Sequence, residues 1–230
     1  MRKVRNYLRV LALIYCIWVV FSSSGQLLYM AWNLFLALVP FEAANLLYKI
    51  KKEHLVFKGI RIITIGLCIL WLLFYPNAPY IITDFIHINS NKFFIPNPKY
   101  VPYGLEPKTL FNDNFKLWLN YINIGIGVWL GYMFGIISLY INQKLIEDKF
   151  GRARSWVFVV AINLLSGFAI YLGRFIRWNS WDVIFDPLNI IYILINDIHI
   201  KALNFTLLFG VFNLILYIIT VVTLKLMREK

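Results

Sequence analysis

An all-α integral membrane bundle of about six spanning helices, forming one domain over residues 1–230, is the fold class this sequence predicts. Three observations predict it. Apolar residues make up 60% of the chain and charged residues only 15%, against about 45–50% and about 25% in soluble domains. The apolar residues fall in runs long enough to cross a bilayer, which takes roughly 20 residues. The charges sit at the ends of those runs.

The runs follow in order. The first span covers Tyr7–Phe21 and passes into the small polar stretch Ser22–Gln26. The second is Leu27–Tyr48, and the third is Gly59–Tyr75, ended by Pro76. A polar, proline-containing segment Asn77–Phe115 leads to the fourth span, Leu117–Ile141. The fifth is Trp156–Leu172. A second mixed segment, Gly173–Lys201, precedes the sixth, Ala202–Met227. The basic start and small residues of the first run resemble a signal peptide, but no A-x-A cleavage site follows, so the span is expected to stay.

Lys and Arg set the orientation. Arg2, Lys3, Arg5, Arg9, Lys49, Lys51, Lys52, Lys58, Arg61, Lys144, Lys149, Arg152, Arg154, Lys225, Arg228 and Lys230 flank one set of ends, 16 of the 23 basic residues. Lys92, Lys99, Lys108, Lys116, Arg174, Arg177 and Lys201 flank the other, spread over longer segments. Six spans alternate the two sets without exception. The positive-inside rule therefore puts both termini in the cytoplasm of a cell membrane and turns Asn77–Phe115 and Gly173–Lys201 outward, as a small cap. The net charge of +12 is accounted for by topology, so no nucleic-acid partner is expected and the partner is the lipid bilayer.

Within the spans, Gly127, Gly131 and Gly135 recur every four residues, with Gly125 beside them. Small residues at that spacing admit another helix closely, either within one chain or in a homodimer. Glu42, two residues after Pro40, is an acid inside the second span, where it is expected to be protonated, paired or turned to a wet interior. Asn33, Asn45, Asn163 and Asn213 are expected to bond between helices. Cys16 and Cys68 read as small core residues, and with three histidines they form no zinc signature, so neither a metal nor a cofactor is expected.

Two outward strings carry the candidate chemistry. In Pro76-Asn77-Ala78-Pro79-Tyr80-Ile81-Ile82-Thr83-Asp84-Phe85-Ile86-His87-Ile88, Pro79 suits a helix start and Asn77 a cap. At α-helical spacing Tyr80, Thr83, Asp84 and His87 share one face and the isoleucines cover the other, a short amphipathic helix. In Gly173-Arg174-Phe175-Ile176-Arg177-Trp178-Asn179-Ser180-Trp181-Asp182, Arg174, Arg177 and Trp181 share a face. Two guanidiniums fork naturally onto a carboxylate or phosphate. The expected binding residues are Asn77, Tyr80, Asp84, His87, Arg174, Arg177, Asn179 and Asp182 in one outward cluster. If chemistry occurs there, Asp84 and His87 are its acid–base pair. No Gly-x-Ser-x-Gly elbow, His-Glu-x-x-His or phosphate loop is present.

PNAPYIITDFIHI and GRFIRWNSWD resemble the two hallmark stretches of a bacterial multi-pass membrane family catalogued as domain of unknown function 1361. The resemblance extends over most of the chain and implies no activity. Asp84, His87, Arg174 and Asp182 match its motifs, whereas Glu42, His54, Asp197 and His199 do not draw on it. Three functional readings follow: an outward site binding or acting on an anionic or lipid-linked polar molecule, a small-solute transporter lined by Glu42 and the intramembrane Asn residues, and a non-catalytic assembly protein. Whether the chain is an enzyme is left open by all three.

The charge pattern makes a testable statement about topology. In a Cys16→Ser, Cys68→Ser background, single cysteines at positions 99 and 186 are expected to react with an impermeant maleimide on intact cells. Cysteines at 51 and 152 should react only after lysis. Labelling of position 99 only after lysis would overturn the six-span order.

Overall fold

The computed structural model describes residues 2–23, 25–90, 93–186, 188, 192 and 200–226. Among the described residues, six helices are long and apolar enough to cross a membrane, and the chain is an all-α, multi-pass membrane protein. They are built on α1 (Arg2–Ser22), α2 (Leu28–Lys52), α3 (Ile60–Phe74) with the coil that continues it to Ile88, α5 (Phe115–Phe150), α6 (Arg152–Tyr171) and α8 (Ile200–Leu226). Two one-turn helices, α4 (Asn77–Tyr80) and α7 (Asp182–Phe185), lie in the connecting segments. Large apolar side chains stay exposed along the spans, among them Leu13, Phe21, Ile62, Val157 and Leu208. A stable soluble fold does not leave so much apolar surface in water, so these faces belong to lipid.

The described residues form two compact units. One comprises residues 1–32 and 82–130, the other 33–81 and 131–230. In the first, Asn123 of α5 is fully buried and joins α1 three times. Its backbone carbonyl accepts from the Tyr15 hydroxyl at 2.8 Å, its Oδ1 accepts from Trp18 Nε1 at 2.8 Å, and its Nδ2 donates to Ser22 Oγ at 3.1 Å. Buried amides survive in an apolar setting only when bonded in this way. One turn on, a Cβ on Gly127 would collide with the Tyr15 hydroxyl and Met30.

The same unit holds a β-hairpin that the sequence did not announce. β1 (Phe94–Pro96) and β2 (Thr109–Phe111) pair antiparallel, Phe94 opposite Phe111 and Pro96 opposite Thr109. Phe94 and Phe111 meet at a ring separation of 4.7 Å. Asn97 closes the turn, accepting from Lys99 N–H at 2.9 Å and donating to the Pro107 carbonyl at 2.9 Å.

In the second unit, Phe41 packs on Phe134 at 4.9 Å between ring centres. Pro40 sits inside α2, where its ring nitrogen has no proton to give to the helical ladder. Lys51 bonds Asp148 at 2.8 Å near the ends of α2 and α5. α3 meets α5 where Trp71 Nε1 donates to Ser138 Oγ at 3.4 Å. Gly131 and Gly135 receive the turn after α3: a Cβ would lie 2.7 Å from Ile81 Cδ1 and 2.9 Å from the Ala78 Cβ respectively. All three glycines of the stripe are thus occupied within the chain, whereas Gly125, grouped with them above, faces open space.

The tightest backbone approach lies elsewhere. A Cβ on Gly167 of α6 would run into the Thr206 carbonyl oxygen and come within 2.7 Å of Gly210 N on α8. A Cβ on Gly210 would lie 3.1 Å from Leu164 Cα and 3.2 Å from the Asn163 carbonyl oxygen. Of the intramembrane polar residues, Asn163 bonds the Val159 carbonyl in its own helix at 2.8 Å rather than a neighbouring helix. Glu42 is half-buried, Cys16 is half-buried and Cys68 is exposed, so Cys68 is no core residue.

Two boundaries differ from expectation. Pro76 does not end the third coil. Tyr80 N–H donates to the Pro76 carbonyl at 2.9 Å, α4 follows at once, and a 3-10 helix continues over Ile81–Ser90. Proline is harmless in this place because first-turn amides have no intrahelical acceptor. The fourth span continues as helix to Phe150, well past Ile141.

These contacts order three substitutions. Gly167→Leu is expected to lower thermal stability in detergent most, Gly131→Leu less, because an Ile81 side chain gives way more readily than backbone. Gly125→Leu should stay within about 0.5 kcal/mol of wild type.

Candidate functional site

The first string folds as a broken coil, not a regular α-helix. Asn77 does not cap it: Pro76 occupies the cap position, and no side chain bonds there. The Asn77 amide instead reaches sideways, donating to the Phe74 carbonyl at 3.0 Å and to Ser180 Oγ at 2.8 Å. That second bond joins the two sequence motifs.

A 3-10 helix has three residues per turn, so side chains at i and i+3 eclipse. Ile81, Asp84 and His87 therefore form one row, where α-spacing had assigned Ile81 to the opposite face. Ile81 is fully buried and Asp84 is 1% exposed, while the His87 side chain is 47% exposed. His87 Nε2 lies 3.9 Å from Asp84 Oδ1, close enough for charge attraction but too long for a hydrogen bond. The Tyr29 ring stands 4.8 Å from the imidazole. The pair thus combines a buried carboxyl with an accessible imidazole. Among the described residues, no group of three or more His, Cys, Asp or Glu converges as a metal site would require.

The second string departs from α-geometry too. After α6 the backbone widens into a π turn over Leu172–Ile176, and Arg177 adopts a left-handed conformation, φ 64° and ψ 38°. Trp178 N–H folds back to the Leu172 carbonyl at 3.2 Å. The regular spacing that had put Arg174, Arg177 and Trp181 on one face is therefore broken, at the π turn and again at Arg177. Gly173 permits the fold: a Cβ there would lie 3.1 Å from Tyr80 Cε2 and 3.4 Å from the Trp178 carbonyl oxygen. The motifs therefore meet twice, at Asn77 with Ser180 and at Tyr80 with Gly173.

Asp182 is committed locally. Its Oδ2 accepts from the Asn179 backbone N–H at 2.7 Å and from Asn179 Nδ2 at 3.2 Å, closing the turn before α7. It holds the loop's shape and does not neutralise an arginine. Arg174 is half-buried and Arg177 exposed, and neither has a hydrogen-bond or ion-pair partner among the described residues. Lys201 Nζ lies 5.2 Å from the centre of the ring of Phe175, the residue after Arg174. Ser180 and Lys201 are the members that sequence reasoning did not single out. Ser180 stood inside the quoted string, and Lys201 is brought in only by the packing of Phe175 on Phe205, 4.4 Å apart.

Asp84 and His87 belong to one compact unit and Arg174 and Arg177 to the other, and each group is described within its own. Asp197 and His199 lie outside the described residues.

A family model described as "Protein of unknown function (DUF1361)" matches residues 32–216. The chain belongs to this family. Both motifs fall inside the matched region of the DUF1361 chain, as do all eight candidate site residues. No curated protein and no solved structure matches it.

The junction can be tested by a double-mutant cycle. Asn77→Ala and Ser180→Ala should each lower the melting temperature in detergent. Their combined loss should fall short of the sum by about 0.5–1.5 kcal/mol, the usual worth of one hydrogen bond. Full additivity would mean that the two motifs are not coupled through this bond.

Proposed function

We propose that this membrane protein binds an anionic or lipid-linked polar molecule on the outward side of a cell membrane, with Arg174 and Arg177 as the clamp. The observation that carries the reading is the pair of arginines that follows a spanning helix, neither of which bonds a protein group among the described residues. Guanidiniums fork onto phosphate or carboxylate through parallel N–H donors, and Arg does so better than Lys. The positive-inside rule disfavours basic residues on the outer side, so two arginines there, unpaired among the described residues, call for a compensating anion.

Backbone geometry adds support. A left-handed arginine is costly, and strain of this kind concentrates at binding sites. Lys201, on the ring of Phe175, adds a positive charge to the same segment of the fold. Asn77, Tyr80, Asn179 and Asp182 hold the frame in which the clamp is set. In the other unit, Asp84 and His87 are proposed as a second outward polar feature, the acid–base pair of any chemistry there.

Protein purified in neutral detergent and exposed to mixed phosphatidylglycerol and phosphatidylcholine should retain the anionic lipid, read by native mass spectrometry. The Arg174→Gln, Arg177→Gln double variant should retain at least about tenfold less, the equivalent of about 1.4 kcal/mol. Competition by inorganic phosphate would identify a free anion rather than a headgroup as the occupant. Equal phosphatidylglycerol retention by wild type and variant, with no competition by phosphate, overturns the clamp.

A further inference from the structure

The second unit encloses a small cavity in its membrane-spanning part, lined by Tyr75, Pro79, Tyr132, Asn163, Asn213 and Tyr217 among others. It is independent of the arginine clamp. About 10 Å³ is open to the centre of a water molecule, which is room for one. Asn213 is 1% exposed. Among the described residues, neither its Oδ1 nor its Nδ2 has a hydrogen-bond partner. An unbonded carboxamide in an apolar interior costs several kcal/mol against transfer to water, so native structures rarely keep one.

The other lining groups are also unsaturated. Tyr75 is buried, and among the described residues its hydroxyl makes no hydrogen bond. Asn163 spends its amide on the Val159 carbonyl, and among the described residues no donor reaches its Oδ1. Tyr132 and Tyr217 donate elsewhere, to the Asn213 carbonyl at 3.2 Å and to Gln143 Oε1 at 2.6 Å, so each keeps an oxygen lone pair. The lining therefore offers donors from Asn213 and Tyr75 and acceptors from Asn213, Asn163 and the tyrosines.

We propose that this cavity is a binding site for a single internal water molecule that bridges Asn213 of α8 to Tyr75, which follows α3, and to Asn163 of α6. The chemistry selects water over the alternatives. A mixed set of donors and acceptors suits a neutral molecule that both gives and takes hydrogen bonds. A bare cation would meet amide and hydroxyl protons as well as oxygens, with no carboxylate in the lining to offset its charge. Any solute much larger than water exceeds the space. The water thus completes the hydrogen bonding of three helical segments where no protein atom can, and it fastens the turn at Pro79 to the helices behind it.

Two substitutions test this through the sign of their effect. A dry cavity makes Asn213 a liability, so Asn213→Leu and Tyr75→Phe would raise the melting temperature or leave it unchanged. A bridging water makes them stabilising partners, and each change should lower it by ~2–4 °C per bond lost. Should Asn213→Leu fail to fold, Tyr75→Phe, which removes only one oxygen atom, still decides the sign. Radiolytic footprinting of wild type in ¹⁸O-labelled water gives a direct readout. Label at Tyr75, Tyr132 or Tyr217, deep within the spans, is expected from a resident water, and absence of label at all three overturns it. A third arm exchanges sodium and potassium for choline in the buffer. An unchanged melting temperature is expected, and stabilisation by either metal ion would replace water with a cation as the occupant.

Discussion

In hydrocarbon no water is at hand for an unpaired peptide group, so every backbone N–H and C=O must find its partner within the protein. The rest of this structure depends on that constraint. It makes each spanning segment a helix and confines departures from helical geometry to places where neighbouring side chains or folded-back amides supply the missing bonds. Here the two main departures coincide with the two distinctive sequence strings. The 3-10 coil after α4 begins at Ile81, buried against Gly131. The π turn closes through the Leu172 carbonyl, which takes the Trp178 amide. Small residues make both tolerable, since Gly131, Gly135 and Gly173 each give room to one side chain of the first string.

Helix association without a hydrophobic drive rests on close packing and a few polar bonds, and both kinds occur in each unit. In the first, one asparagine does most of the joining, because its carbonyl, side-chain oxygen and amide all find partners on α1. In the second, glycine against glycine brings α6 and α8 to backbone contact, while Trp71 and Tyr132 reach from ring to neighbouring helix. The polar residues inside these spans work mainly as fasteners.

The six spans were legible because a run of apolar residues between charges is a one-dimensional signal. So was the meeting of the two strings, since both were assigned to one side by charge alone. Other features were not. Gly167 and Gly210 stand singly on separate helices, so no spacing rule flags them, whereas the Gly127 stripe advertised itself. Asn123 lies near Asn120 in the same apolar run, and only the rotation of the helix says which one is buried between α1 and α5. Strands of three residues, as at Phe94–Pro96, are too short to show an alternation. Pro76 misled because proline's effect depends on whether its amide had an acceptor to lose, which is a fact about the preceding turn. The row of Ile81, Asp84 and His87 was hidden by assuming 3.6 residues per turn where the chain takes three.

The length of α5 has one further consequence. Its 36 residues make a rod of ~54 Å, against a hydrocarbon layer of about 30 Å. The apolar part alone, Leu117–Ile141, exceeds that thickness, while Lys144, Glu147, Asp148 and Lys149 make the final turns at ease in an aqueous or headgroup layer. Such a helix meets a thicker bilayer by standing more upright and a thinner one by tilting, with no apolar residue forced into water and no charge forced into lipid. At this helix the protein is thereby fitted to membranes of differing thickness.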